Sequence, residues 1–246
     1  MTPDEIDARL RDLGAGRKGV QREAAEALGG AIGADPGLRE RLVRELAGPD
    51  AGRRWGAAFA LSCGEARPPE IVPVLVETLA SADGDLRWAA ARILVRMIGA
   101  RGASRELLMP LIRSPSAPQR KMALYCLREL GPDPAVVLAP IVNALDDDDR
   151  DVRLAALATA AVLGGGDSGV ARALARRLAD VDLGVARAAA AAIGRLAPDV
   201  PEVRAALDAA RRGSDADLSR AATEALSRLD ATAAADRPRA RPRPPA

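Results

Sequence analysis

The chain has 246 residues, 48% of them apolar but only 2% aromatic, so its core must be built from Ala, Leu, Val and Ile. A formal charge of +2 argues against a global electrostatic footprint for nucleic acid, and the absence of histidine excludes every zinc or haem site that needs an imidazole. Cys63 and Cys126 are too few for a cysteine-only metal site and read as reduced thiols of a cytoplasmic protein.

The N-terminal residues carry no apolar leader, and Thr2 and Glu5 stand at capping-box spacing, which opens a helix over 4–13. Helices then alternate in pairs. First helices are predicted over 4–13, 37–47, 70–80, 103–113, 134–145, 168–179 and 201–212. Second helices are predicted over 19–32, 51–63, 84–98, 117–130, 150–163, 183–196 and 216–229. Pro36-Gly37, Pro68-Pro69, Gly131-Pro132, Gly164-Gly165-Gly166 and Pro198 punctuate the joints. No strand pattern intervenes, and no apolar run approaches the ~18 residues of a membrane span. From about 230 the chain turns Pro-, Arg- and Ala-rich, so 1–229 is predicted as the folded body and 230–246 as a disordered tail. The segment 236–246 holds four Arg and one Asp, and without it the body is within one charge of neutral.

The pairs step by 33 residues. One column of the second helices reads Gln21, Arg54, Arg87, Arg120, Arg153, Ala186 and Ser219. Three residues on stand Ala24, Ala57, Ala90, Ala123, Ala156, Ala189 and Ala222, and seven on stand Leu28, Leu61, Leu94, Leu127, Ala160, Ile193 and Leu226. Four residues before the first column come Arg17, Asp50, Asp83, Ser116, Asp149, Asp182 and Asp215, of which six are side chains able to cap a helix N-terminus. A fixed period of this length is the signature of a solenoid. With helix axes roughly 8–10 Å apart, two repeats separate Cys63 from Cys126 too far for a disulfide.

This pattern resembles the HEAT repeat, and more narrowly the short HEAT-like repeats of the phycobilisome-lyase type; residues 146–164 match best, and 83–98 and 116–131 follow. The resemblance implies an all-α, right-handed α-α superhelix of seven two-helix repeats. It also implies that Arg54, Arg87, Arg120 and Arg153 form a structural ladder, each Arg pairing with the turn Asp of a neighbouring repeat (Asp50, Asp83 and Asp149), rather than a ligand-binding row. Gln21, Ala186 and Ser219 depart from the pattern, as suits repeats stacked on one side only.

Helical geometry at 100° per residue places the recurrent apolar positions on one side of each second helix and positions +1, +5 and +9 on the other. The HEAT resemblance makes that other side the lining of a concave groove. All four aromatic residues, Trp55, Phe59, Trp88 and Tyr125, fall on it in consecutive repeats, with Arg92, Arg96 and Lys121 beside them and Arg187 and Arg195 extending a basic rim. A contiguous exposed aromatic cluster marks a binding surface. Trp55 and Phe59 could instead fold back over small neighbours such as Gly56 or Ala89.

Other motifs fail their context. Gly14–Gly19 fits a dinucleotide fingerprint but follows a helix, not a strand. Gly166-Asp167-Ser168-Gly169 is similar to a serine-protease nucleophile segment but has no histidine base. The His–Glu iron motifs of the HEAT-fold deoxyhypusine hydroxylases are missing, and Asp146–Asp149 reads as a solvated helix cap rather than a Ca²⁺ site. The expectation is therefore a non-enzymatic, monomeric scaffold without cofactor or metal. Its aromatic and basic groove would grip a protein or peptide with acidic flanks. Two alternatives stand beside it. One is a DNA-binding protein resembling the HEAT-like alkylpurine DNA glycosylases, with Glu129 as the groove carboxylate. The other is a chromophore-handling protein resembling the phycobilin lyases.

Overall fold

The computed structural model describes residues 1–64, 67–99, 107–131, 133–196 and 200–235. Backbone contacts divide the chain into two compact units, Met1–Ser104 and Arg105–Ala246. The first holds α1 (Pro3–Asp12), α2 (Lys18–Ala31), α3 (Pro36–Glu45), α4 (Ala51–Cys63), α5 (Val72–Thr78, entered through a 3-10 turn at Pro69–Ile71) and α6 (Gly84–Gly99). In the second, a 3-10 turn at Pro110–Arg113 precedes α7 (Ala117–Leu130), α8 (Pro134–Ala144), α9 (Arg150–Leu163), α10 (Ser168–Arg176), α11 (Leu183–Leu196), α12 (Pro201–Arg211) and α13 (Ala216–Ala235). Among the described residues there is no strand, and the architecture is an all-α solenoid.

Every second helix but α2, whose N-cap is Arg17, begins where a side chain accepts hydrogen bonds from its first turn. Asp50 accepts from the Arg53 N–H, Asp83 from Asp85 and Leu86, Ser116 from Gln119, Asp149 from Asp151 and Val152, Asp182 from Val185 and Asp215 from Leu218. Thr2 and Glu5 form the reciprocal capping box expected for α1. At the other end of α7, Gly131 takes the left-handed conformation (φ 56°) that lets its N–H close on the Leu127 carbonyl.

The core follows the 33-residue period. All seven members of the alanine column are fully buried, at 0% exposure. Such small side chains let helices approach closely within each unit, α2 against α4 in the first and α7, α9, α11 and α13 in succession in the second. The Leu28-to-Leu226 column is buried throughout. One boundary differs from expectation: α13 does not stop at 229 but runs to Ala235. Residues 230–235 are rich in alanine, the strongest helix former, and Thr232 donates back to the Arg228 carbonyl at 3.1 Å. The tail from 236 and the start of the helix predicted over 103–113 lie outside the described residues.

Candidate functional site

The arginine column is structural, but its partners are not the expected ones. Arg120 grips Asp147 with both arms of its guanidinium (2.8 and 2.7 Å) while donating to the Ser114 and Pro115 carbonyls. Arg153 repeats the arrangement with Asp180 (3.1 and 3.1 Å) and the Asp147 and Asp148 carbonyls. Arg54 pairs with Glu77 and the Gly48 and Pro49 carbonyls, and Arg87 donates to the Ser81 and Ala82 carbonyls. Asp50, Asp83 and Asp149 are not the partners: they cap their own helices, and Asp83 takes Lys18 as well. The carboxylates that pair with Arg120 and Arg153 stand two residues before a cap, in a column Ser81, Ser114, Asp147, Asp180 that the 33-residue ruler could have exposed. Each also accepts the N–H of the cap residue itself, so one side chain orders the turn and receives the arginine where that residue is Asp.

In the first unit the predicted face divides in two. Trp55, expected at the surface, is only 7% exposed, and Phe59 is half-buried; the rings stack with centroids 5.9 Å apart and 25° between planes. In this unit α4 approaches α6 less closely than it approaches α2, and Trp55 lies between them. A cleft of about 460 Å³ remains over the stacked rings, walled by Gly56 and Leu86 and edged by Gln21, Arg22 and Asp85. A second of about 310 Å³ lies across Trp55, sharing Gln21 and Leu86. Lys18 closes one edge: its ammonium reaches Asp83 at 2.5 Å and Asp85 at 2.9 Å, from the start of α2 to the start of α6. The two carboxylates hold the Lys18 pKa above its usual value, and Lys18 in turn holds Asp83 below the usual range.

Trp88, Arg92 and Arg96 lie at the surface, where the helical spacing placed them. They stand at four-residue spacing on α6 and are exposed, Trp88 by 44%. Neither Arg92 nor Arg96 has an ion pair or hydrogen bond among the described residues. Arg96 acts on Cys63, whose thiol burial pushes up while the guanidinium pulls it down.

The second unit holds Lys121 and Tyr125, both half-buried on α7. Lys121 is bound to Asp151 at 2.8 Å and is not an open cation. Arg187, expected on the rim, is likewise tied to Asp217 at 2.9 Å. Both acids sit in the first turn of the following second helix, 30 residues on, a spacing the sequence carries. The Arg128 guanidinium lies 5.2 Å from the Tyr125 ring centroid and also pairs with Glu129 at 3.2 Å. In the acidic run, Asp146 meets Arg177 at 3.1 Å, Asp147 meets Arg120 and Asp149 caps α9. Lys18, Gln21 and Asp85 were missed by sequence reasoning. The signal for Asp85 was its membership in the column that holds Asp151 and Asp217.

Comparison with known proteins agrees with this geometry. A family model of HEAT repeats matches residues 72–161. No curated protein matches the chain in sequence. Among solved structures, the Escherichia coli protein YibA shares 14% identity over 94% of this chain and 93% of its own, with a TM-score of 0.58. An archaeal HEAT-like repeats protein from Thermococcus onnurineus shares 13% over 94% of this chain and 99% of its own, at a TM-score of 0.55. An engineered protein shares 23% over 92% of this chain and 68% of its own, at 0.52. At such identities the likeness is one of fold. Helix pairs at a 33-residue step, alanine-lined contacts between second helices and arginines locked into the turns accord with the HEAT-repeat match over residues 72–161 and give the chain the fold of a HEAT-like solenoid.

Proposed function

We propose that the chain is a non-enzymatic binding scaffold whose α6 face, Trp88 with Arg92 and Arg96, takes an acidic segment of a partner protein. The observation that carries this is the contrast between cations. Lys18, Lys121 and Arg187 are each committed to a carboxylate, whereas Arg92 and Arg96 have no such partner among the described residues and flank an exposed indole. Two guanidiniums about 6 Å apart along a helix fit carboxylates on a peptide, and the indole supplies the apolar anchor. Tyr125 with Arg128 offers the second unit an aromatic and cationic pair of its own.

The test is fluorescence anisotropy with a fluorescein-labelled peptide in which Glu residues flank Phe and Leu. Wild-type chain should bind it and lose affinity as salt rises, and Arg92→Glu with Arg96→Glu should weaken binding by about tenfold or more. Reversal variants that bind as well as wild type refute the proposal. Tighter binding to duplex DNA than to the peptide, with a steep salt slope, favours the nucleic-acid alternative instead.

A further inference from the structure

We infer that Lys18 is an electrostatic strap that holds the first unit closed over the Trp55–Phe59 stack, and that α6 swings away from α4 when salt releases it. Lys18 is the first residue of α2, the station that Arg150 occupies on α9. Arg150 pairs at 2.7 Å with Asp182, the residue that caps the next second helix. Lys18 instead passes the corresponding cap, Asp50, and reaches Asp83 at 2.5 Å and Asp85 at 2.9 Å, at the start of the second helix beyond. Solenoid repeats ordinarily touch only their neighbours, so a bond that skips one draws the unit together across α4.

The strap stands where direct packing is weak. In the second unit α7, α9, α11 and α13 pack closely in succession, and in the first α2 packs on α4 in the same way. Between α4 and α6 that close approach is missing, and the short α5, Val72–Thr78, packs against both. α5 can therefore act as a hinge on one side of the gap, with Lys18 closing the other. Side-chain exposures of 58% for Lys18, 28% for Asp83 and 87% for Asp85 put this bond largely in water, where it is weak and screened by salt. Lys18 and the nearly buried Trp55 line the same cleft, so release of the strap uncovers the indole. Trp88, Arg92 and Arg96 take no part in the strap, and its failure would leave the peptide-binding proposal standing.

The experiment is fluorescence quenching by acrylamide, a neutral quencher, of the full chain carrying Trp88→Phe, in which Trp55 is the single tryptophan. Raising KCl from about 50 mM to about 1 M should increase the Trp55 quenching constant about twofold. Lys18→Met should give a similar increase at low salt and abolish the response to salt. Lys18→Arg, which keeps the charge, should retain both the protection and the response. Lys18→Glu should open the cleft further, and Asp85→Lys added to it should restore protection. Circular dichroism melts establish that each variant is folded, and the strap residues changed are exposed ones. A quenching constant that Lys18→Met leaves unchanged, or a salt response of equal size with and without Lys18, overturns the inference.

Discussion

Replacing Arg153 with alanine tests whether the arginine ladder holds the solenoid together. The guanidinium donates four hydrogen bonds, two to Asp180 at 3.1 Å and two to the Asp147 and Asp148 carbonyls at 2.9 and 3.1 Å. The pair is largely withdrawn from water, with side-chain exposures of 11% for Arg153 and 3% for Asp180. Removing one member of a buried pair costs about 3–5 kcal/mol, because the other charge is left without compensation. Here Asp180 keeps Arg177 at 3.6 Å and the Asp182 N–H at 2.9 Å, which places the cost near the lower bound, about 3 kcal/mol. Arg153→Lys keeps the charge but not the planar fork, so it should recover only part of the loss. Arg54→Ala should cost much less, since its partner Glu77 is 54% exposed and water replaces the arginine. Urea unfolding followed by far-UV circular dichroism measures all three, fitted as two transitions where two resolve. A loss under about 1 kcal/mol for Arg153→Ala, or one no greater than for Arg54→Ala, would refute the buried-ladder reasoning.

Neighbouring glycines of α2 should respond in opposite directions. A Cβ at Gly29 would lie 2.7 Å from the Cys63 Cβ and 2.8 Å from the Ala60 carbonyl oxygen, so Gly29→Ala should destabilise by about 1–2 kcal/mol despite its better helix propensity. Gly30 meets nothing within 4 Å, and Gly30→Ala should stabilise by about 0.5 kcal/mol, both read as shifts in urea midpoint. Stability should be nearly flat from about pH 5.5 to 8, where no histidine titrates. It should fall in acid. The carboxyl of Asp83 is held low by Lys18 and that of Asp151 by Lys121; for Asp147, burial pushes upward but the bond to Arg120 and the neighbouring charges outweigh it. With folded values below unfolded ones, the unfolded chain binds more protons. Their contribution is therefore complete above the unfolded value of about 4 and is lost as pH drops through the lower folded values. Thermal melts across pH check this, and a melting temperature that holds steady down to pH 2 contradicts it.

Much of the scaffold was legible residue by residue. Six cap side chains announced the second helices, and the alanine and leucine columns named the buried face, because period and capping are local properties that a helix carries in its own sequence. The arginine ladder was half legible. Its donors stood out, but its acceptors went to the wrong acids, since which carboxylate a guanidinium reaches depends on the distance between turns of neighbouring repeats, and the cap acids Asp83 and Asp182 take Lys18 and Arg150 instead.

The candidate site was legible in identity and not in depth. From its own axis, α4 directs Trp55 away from the core, and the sequence by itself determined that direction, along with the helix boundaries and the exposed stations of Trp88, Arg92 and Arg96 on α6. Whether a side chain so directed meets water depends on the neighbouring helices and on how far α6 stands from α4. Tertiary structure alone decided that Trp55 would be buried, that Lys18 would span 67 residues to Asp85, and that Lys121 and Arg187 would be neutralised by acids on the following second helix. Helical periodicity specifies an angle around one axis, whereas burial and pairing are set by the distance between two.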